Sequence, residues 1–126
     1  MQRWSPDGTL IAYRQIGGPI KLISRDGGAS RELTGPGPET LFSIWYEWPP
    51  GSADIFYHTI LPGGEHAFWR VASAGGVPRL IARFHGIERR TRRSEFATDG
   101  QRLFFTVMDD EADVWMMELG QPGAGR

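Results

Sequence analysis

The sequence predicts an all-β fold, a β-propeller built of four-stranded antiparallel blades with about three blades in the chain. Three observations carry that expectation. A motif of an aromatic, a tight turn and an alternating apolar pair occurs three times in one register. Gly, Pro and Asp pairs separate the short apolar runs, as strand connections require. No segment holds apolar residues at i, i+3, i+4 spacing for a dozen residues, and 17 glycines and 9 prolines interrupt the chain, so helices have no support.

The first copy is WSPDGTLIAY, residues 4–13. Pro6-Asp7-Gly8 is turn chemistry, and the Ile11/Tyr13 alternation suits a half-buried strand. A shift of 44 places it on WPPGSADIFY (48–57), where Trp48, Pro50, Ile55 and Tyr57 meet Trp4, Pro6, Ile11 and Tyr13. A shift of 92 places it on FATDGQRLFF (96–105), with Phe96 for the tryptophan, Asp99-Gly100 for the turn, and Leu103 and Phe105 for the apolar pair. The downstream halves follow. IKLISRDGGASRELT (20–34) overlies FWRVASAGGVPRLIA (68–82), bringing Gly27-Gly28 onto Gly75-Gly76, Ile23 onto Val71 and Leu33 onto Ile81. VWMMEL (114–119) supplies the corresponding strand of the third copy.

Each copy therefore reads strand, turn, strand, loop, strand, Gly-Gly turn, strand. Asp-Gly and Gly-Gly pairs supply the positive φ that two-residue hairpin turns need. Four antiparallel strands repeating every 44–48 residues is the pattern of propeller blades. The blades are placed at about 1–35, 36–83 and 84–119, with a flexible tail at 120–126. Trp4 and Trp48, like Trp69 and Trp115, recur at matching positions, which makes core packing the expected role of these rings. Trp45 and Tyr46 fall outside that pattern, in LFSIWYEW (41–48).

WSPDGTLIAY followed by IKLISRDGGASRELT resembles the PD40-type blade of TolB-like β-propellers, over nearly the whole chain. The second copy departs at Gly51-Ser52, which stand for Asp-Gly, and the third at Thr98, where proline is expected. The resemblance implies that Trp4, Pro6, Asp7, Gly8, Gly27, Gly28, Trp48, Pro50, Gly75, Gly76, Phe96, Asp99 and Gly100 build blades rather than perform chemistry. It also implies a ring of six. Closed rings have four to eight blades, so three blades need completion. Copy one keeps only Gln2–Trp4 of its innermost strand, and copy three stops at Leu119 before an outermost one. The expected partner is a second copy, giving a homodimeric six-bladed ring, or the other blades of a longer parent propeller. The expected function is a non-catalytic scaffold that presents loops to a protein partner. The alternative is the propeller portion of a serine peptidase of the prolyl oligopeptidase or tricorn type, its catalytic domain lying elsewhere.

Composition narrows the rest. Apolar residues make up 40% and charged residues 23% of 126 residues, which excludes a disordered or fibrous chain. The net charge of −1 gives no field to recruit nucleic acid or an anionic membrane. The absence of cysteine removes disulfides, thiol nucleophiles and thiolate metal sites. No apolar run is long enough for a membrane span and no secretory h-region opens the chain. The cytoplasm is the default expectation, or the periplasm if the chain derives from a TolB-like parent. A nucleophile elbow, a Walker loop and H-E-x-x-H are missing, so no catalysis and no cofactor are expected.

Three candidate sites remain. Arg89, Arg90, Arg92 and Arg93 in ERRTRRSE carry guanidinium forks suited to an anionic or phosphorylated protein partner. Their bland reading is a solvated loop, or pairing with the acidic segment MDDEAD (108–113), and charge runs are most often of this kind. Asp109, Asp110, Glu111 and Asp113 offer oxygen ligands for calcium but lack EF-hand spacing. His58 and His66 lie symmetrically about Pro62 in HTILPGGEH, so a regular hairpin sets them opposite one another. With Glu65 they suggest a metal site, yet no third strong ligand has the right spacing. A polar pair at a loop mouth is the plainer alternative.

Overall fold

The computed structural model describes residues 1–15, 18–34, 42–84, 95–108 and 112–120. Among them the chain forms strands and no helix. The first sheet contains β1 (Gln2–Trp4), β2 (Leu10–Arg14), β3 (Ile20–Ser24) and β4 (Arg31–Thr34). The second contains β5 (Phe42–Glu47), β6 (Asp54–Ile60), β7 (His66–Ala72) and β8 (Arg79–Phe84). β9 (Phe96–Thr98), β10 (Arg102–Met108) and β11 (Ala112–Glu118) form the third. Every sheet is an antiparallel meander in sequence order.

Side-chain hydrogen bonds set the corners after β1, β9 and β5. Ser5 is buried, and its Oγ accepts the N–H groups of Thr9 (3.1 Å) and Leu10 (2.8 Å) while donating to Asp7 Oδ1 at 2.6 Å. The Ser5 hydroxyl, then the Thr9 N–H and hydroxyl, hold the Asp7 carboxyl down at about 2. In the third copy Asp99 Oδ1 accepts from the N–H groups of Gln101 (2.8 Å) and Arg102 (2.7 Å). Thr98, standing where proline was expected, accepts the Gly100 N–H through Oγ1 and donates to the Arg102 carbonyl at 2.6 Å. The second copy combines side-chain bonds with a backbone turn: Ser52 Oγ accepts the Asp54 N–H at 3.0 Å and Trp48 Nε1 donates to the Ser52 carbonyl at 3.0 Å. Pro49 C=O accepts the Ser52 N–H at 3.2 Å and Gly51 has φ 73°, the arrangement of a type II turn with Pro50 at its second position. These corners correct the sequence expectation of two-residue hairpin turns. The β1–β2 connection spans residues 5–9 and the β3–β4 connection 25–30, because Asx- and Ser-type bonds stabilise a longer turn. The positive φ at Gly27, Gly28, Gly75 and Gly76 (89–121°) still demands glycine there.

Directly paired residues share a sheet face, so the registers define two faces per sheet. We call the face turned toward the preceding sheet the near face and the opposite one the far face. The far face of the first sheet (Ala12, Ile20, Leu22, Leu33) packs on the near face of the second (Tyr46, Trp48, Ile55, Tyr57, Val71). The far face of the second sheet (Phe56, Phe68) packs on the near face of the third (Phe96, Leu103, Phe105, with Met117). Phe68 meets Phe96 edge-on at 5.4 Å. The central β6 is consequently buried on both faces from Ile55 through Thr59.

Two tryptophan expectations need correction. Trp48 is 7% exposed, but its counterpart Trp4 is 57% exposed, because among the described residues no sheet lies against the near face of the first sheet. Trp69 is half-buried beside β8, whereas Trp115 is 55% exposed on β11, an edge strand among the described residues. Matching position fixes the face of each ring; burial also needs a neighbour.

Ile55, fully buried between the first two sheets, should lose about 2–5 kcal/mol of stability as Ile55→Ala. Ser5→Ala, which orphans two corner N–H groups, should lose about 1–3 kcal/mol. Urea unfolding reads both, and unchanged midpoints would contradict the packing and corner assignments.

Candidate functional site

The arginine cluster Arg89, Arg90, Arg92 and Arg93 lies outside the described residues, as do Asp109, Asp110 and Glu111. Residues 121–126 of the expected tail also lie outside them. Of the candidates, the structure places the histidine pair and the residues around Trp45.

His58 and His66 are brought together, though not directly opposite. His58 pairs with Phe68 and Ile60 with His66, so the histidines are diagonal neighbours. The hairpin is centred on Gly63 rather than Pro62: Leu61 N–H donates to Glu65 C=O at 2.8 Å, and Gly63 and Gly64 both take positive φ. Both rings are buried and stack at 4.9 Å, with His58 Nε2 2.8 Å from His66 Nδ1. Phe68 covers the other side of His58 at 4.8 Å, and His58 Nδ1 is buried without a hydrogen-bond partner. An unpaired lone pair is less costly than an unpaired N–H, so His58 Nε2–H donates and His66 Nδ1 accepts.

That geometry describes a hydrogen bond. Two imidazole nitrogens on a tetrahedral zinc stand roughly 3.3 Å apart, and both facing nitrogens are already engaged. Among the described residues no three His, Cys, Asp or Glu side chains gather around one point. Burial, with the neighbouring His66 adding to it, lowers His58 from 6.5 to about 3, and burial also lowers His66. The pair is a neutral internal element of the second sheet.

The innermost strands carry a second cluster, unrecognised from sequence. Arg3 Nε and Nη2 clasp Glu47 Oε2 (3.0 Å) and Oε1 (2.8 Å), a bidentate pair that joins β1 to β5. Trp45 Nε1 donates to the same carboxylate at 2.7 Å, and the Arg3 guanidinium lies 5.4 Å above the Trp45 ring. The Glu47 bond raises the Arg3 pKa. Beside it, the buried Tyr46 hydroxyl lies within donating distance of two carbonyls, Met1 at 2.5 Å and Ala12 at 3.2 Å, and its single proton favours the shorter contact; burial pushes its ionisation up to about 12. Arg3 and Glu47 stand at equivalent positions 44 residues apart, a signal present in the repeat but read only at its aromatic and turn positions.

From Trp45 an open cleft of about 340 Å³ runs along Glu95, Ala97, Phe104, Thr106 and Val114. Its walls are mainly the far face of the third sheet. Its lining holds one carboxylate, that of Glu95, and no opposed acid/base pair.

Because both histidines titrate below their unfolded value, the unfolded chain binds more protons below pH 6.5. Stability should be intact above that pH and fall as pH drops from 6.5 toward 3, by about 1.4 kcal/mol per pH unit for each proton taken up. Urea midpoints across this range measure the slope. A His58→Gln, His66→Gln double variant should flatten it, and an unchanged slope would place the acid sensitivity elsewhere.

No protein-family model and no curated protein sequence matches the chain. Among solved structures it is similar to one described as a putative TolB from Agrobacterium tumefaciens, with a TM-score of 0.56 and 20% identity over 93% of this chain. The chain spans 41% of the length of that protein. The likeness concerns the fold: three antiparallel sheets arranged as in part of a TolB-like propeller.

Proposed function

We propose that the chain is half of a six-bladed ring and serves as a non-catalytic scaffold that offers its loops to a protein partner. The observation that carries this reading is the pair of open end faces. Trp4 on the first sheet and Val114 on the third expose apolar area at positions whose counterparts Trp48, Phe96, Ile20 and Phe68 are core, and Met116 does so at the position of the buried Leu22 and the half-buried Arg70. Such faces call for further blades, because a blade covers both faces only when flanked on both sides. Six is the ring size implied by the TolB-like fold.

A tandem protein, two full chains joined head to tail by a short Gly/Ser linker, tests ring completion without depending on association. It should melt at a concentration-independent temperature above that of the dilute single chain and bind no hydrophobic dye. A tandem that binds dye and melts like the dilute single chain would overturn the half-ring reading. For the scaffold role, a phosphoserine resin should retain the single chain at low salt and release it with added salt. Replacing Arg89, Arg90, Arg92 and Arg93 with Gln should abolish retention while leaving circular dichroism unchanged. Equal retention would remove these four arginines from partner binding.

A further inference from the structure

Resting on the half-ring reading, we propose that the partner is a second copy of this chain: the far face of its third sheet docks on the near face of the first sheet, and Glu95 meets Arg3. The contact occurs twice around a two-fold axis.

The internal repeat supplies the template. Near-face positions Trp48, Ile55, Tyr57 and Val71 in the second sheet are all buried against the first. Phe96, Leu103 and Phe105 are buried against the second. Their counterparts Trp4, Ile11, Tyr13 and Ile23 share one face through the pairs Trp4↔Ile11 and Ile11↔Ile23; among the described residues no other sheet lies on that face, Trp4 is exposed and the other three are half-buried. Far-face positions run in parallel. Ile20 and Phe68 are buried where they pack on a following sheet, while their counterpart Val114 is 77% exposed; Leu22 is buried and its counterpart Met116 is 58% exposed. One chain therefore carries both halves of the same junction, each built like the halves already joined twice within it.

Charge fits the same step. Arg3, Glu47 and Glu95 occupy one repeat position on the innermost strands, and Arg3 already clasps the carboxylate of the following sheet. In the docked pair, the exposed Glu95 comes to the Arg3 of the second copy. A guanidinium has five N–H donors, so Arg3 can hold Glu47 and a second carboxylate together. The cleft beside Glu95, lined by Phe104, Thr106 and Val114, is then filled by the first sheet of the other copy. Such a contact satisfies two-fold symmetry, since residue i meets j of the partner and j meets i.

Light scattering of the full chain at 1–100 µM should give about twice its 14.1 kDa mass. Trp4→Glu and Met116→Lys, both at exposed positions, should each give monomers with unchanged circular dichroism. Mixing the two variants should restore a dimer, because one junction then pairs two intact faces. Glu95→Arg should raise the dimer Kd roughly tenfold or more. A monomeric wild-type chain beside a closed tandem would overturn the second-copy assignment and leave the half-ring standing. Failure of the tandem itself would overturn the half-ring. A dimer insensitive to both face substitutions would place association on another surface, such as the open edge of β11, and would equally overturn the proposal.

Discussion

The burial of the second sheet on both of its faces is the constraint on which the rest of the structure depends. Along β6, Ile55 and Tyr57 face the first sheet while Phe56 and His58 face the third. A strand that alternates between two apolar interfaces has no solvent side, so its sequence DIFYHTI reads as nearly continuous burial rather than as in-out alternation. β2, with one face covered by a sheet among the described residues, keeps a single fully buried residue, Ala12, among half-buried neighbours. The difference between these equivalent strands is one of neighbours.

Burial on both sides obliges polar atoms to find partners within the stack. Trp69 Nε1 donates to the buried Thr59 hydroxyl at 2.8 Å, and Tyr46 uses its hydroxyl to tie the first sheet to the second. Arg31 reaches the Ser73 carbonyl across the same gap. The Arg3–Glu47 pair adds a charged tie where the strands approach the centre and water still reaches them. His58 Nδ1 is the exception. It places an unpaired polar atom in the interface between the second and third sheets, where a proton would be both desolvated and unaccommodated.

Much of the fold was legible because its requirements are local. Aromatic, turn and alternating apolar positions recur at offsets of 44 and 92, and each of those features is dictated by residues within one corner. Legibility stopped where the outcome depended on something distant. Local pattern assigned Trp4 to a face, but whether that face is covered depends on a neighbouring sheet. The histidine pair was foreseen as cross-strand, while its diagonal placement depends on the hairpin centring at Gly63. Register of this kind follows turn geometry, and the symmetric string HTILPGGEH did not declare it. Arg3 and Glu47 were missed because opposite charges at one repeat position look like divergence until the strands are seen side by side.

The same reasoning explains how the fold is found at 20% identity while no family model matches. Within this one chain, the corner position accepts tryptophan or phenylalanine (Trp48, Phe96), the first apolar position isoleucine or leucine (Ile55, Leu103), and the second tyrosine or phenylalanine (Tyr57, Phe105), all buried. The third-strand position runs from Ile23 through Val71 to Met117. The corner itself is built by Ser5 and Asp7, by a proline–glycine turn, or by Thr98 and Asp99. What the blade specifies is size, face and a reversal of direction, and several residues meet each of those needs. Sequence drifts freely under such constraints as long as each sheet keeps one face fitted to its predecessor and the other to its successor. Those two faces remain recognisable in the first and third sheets, where Trp4, Val114 and Met116 stay exposed.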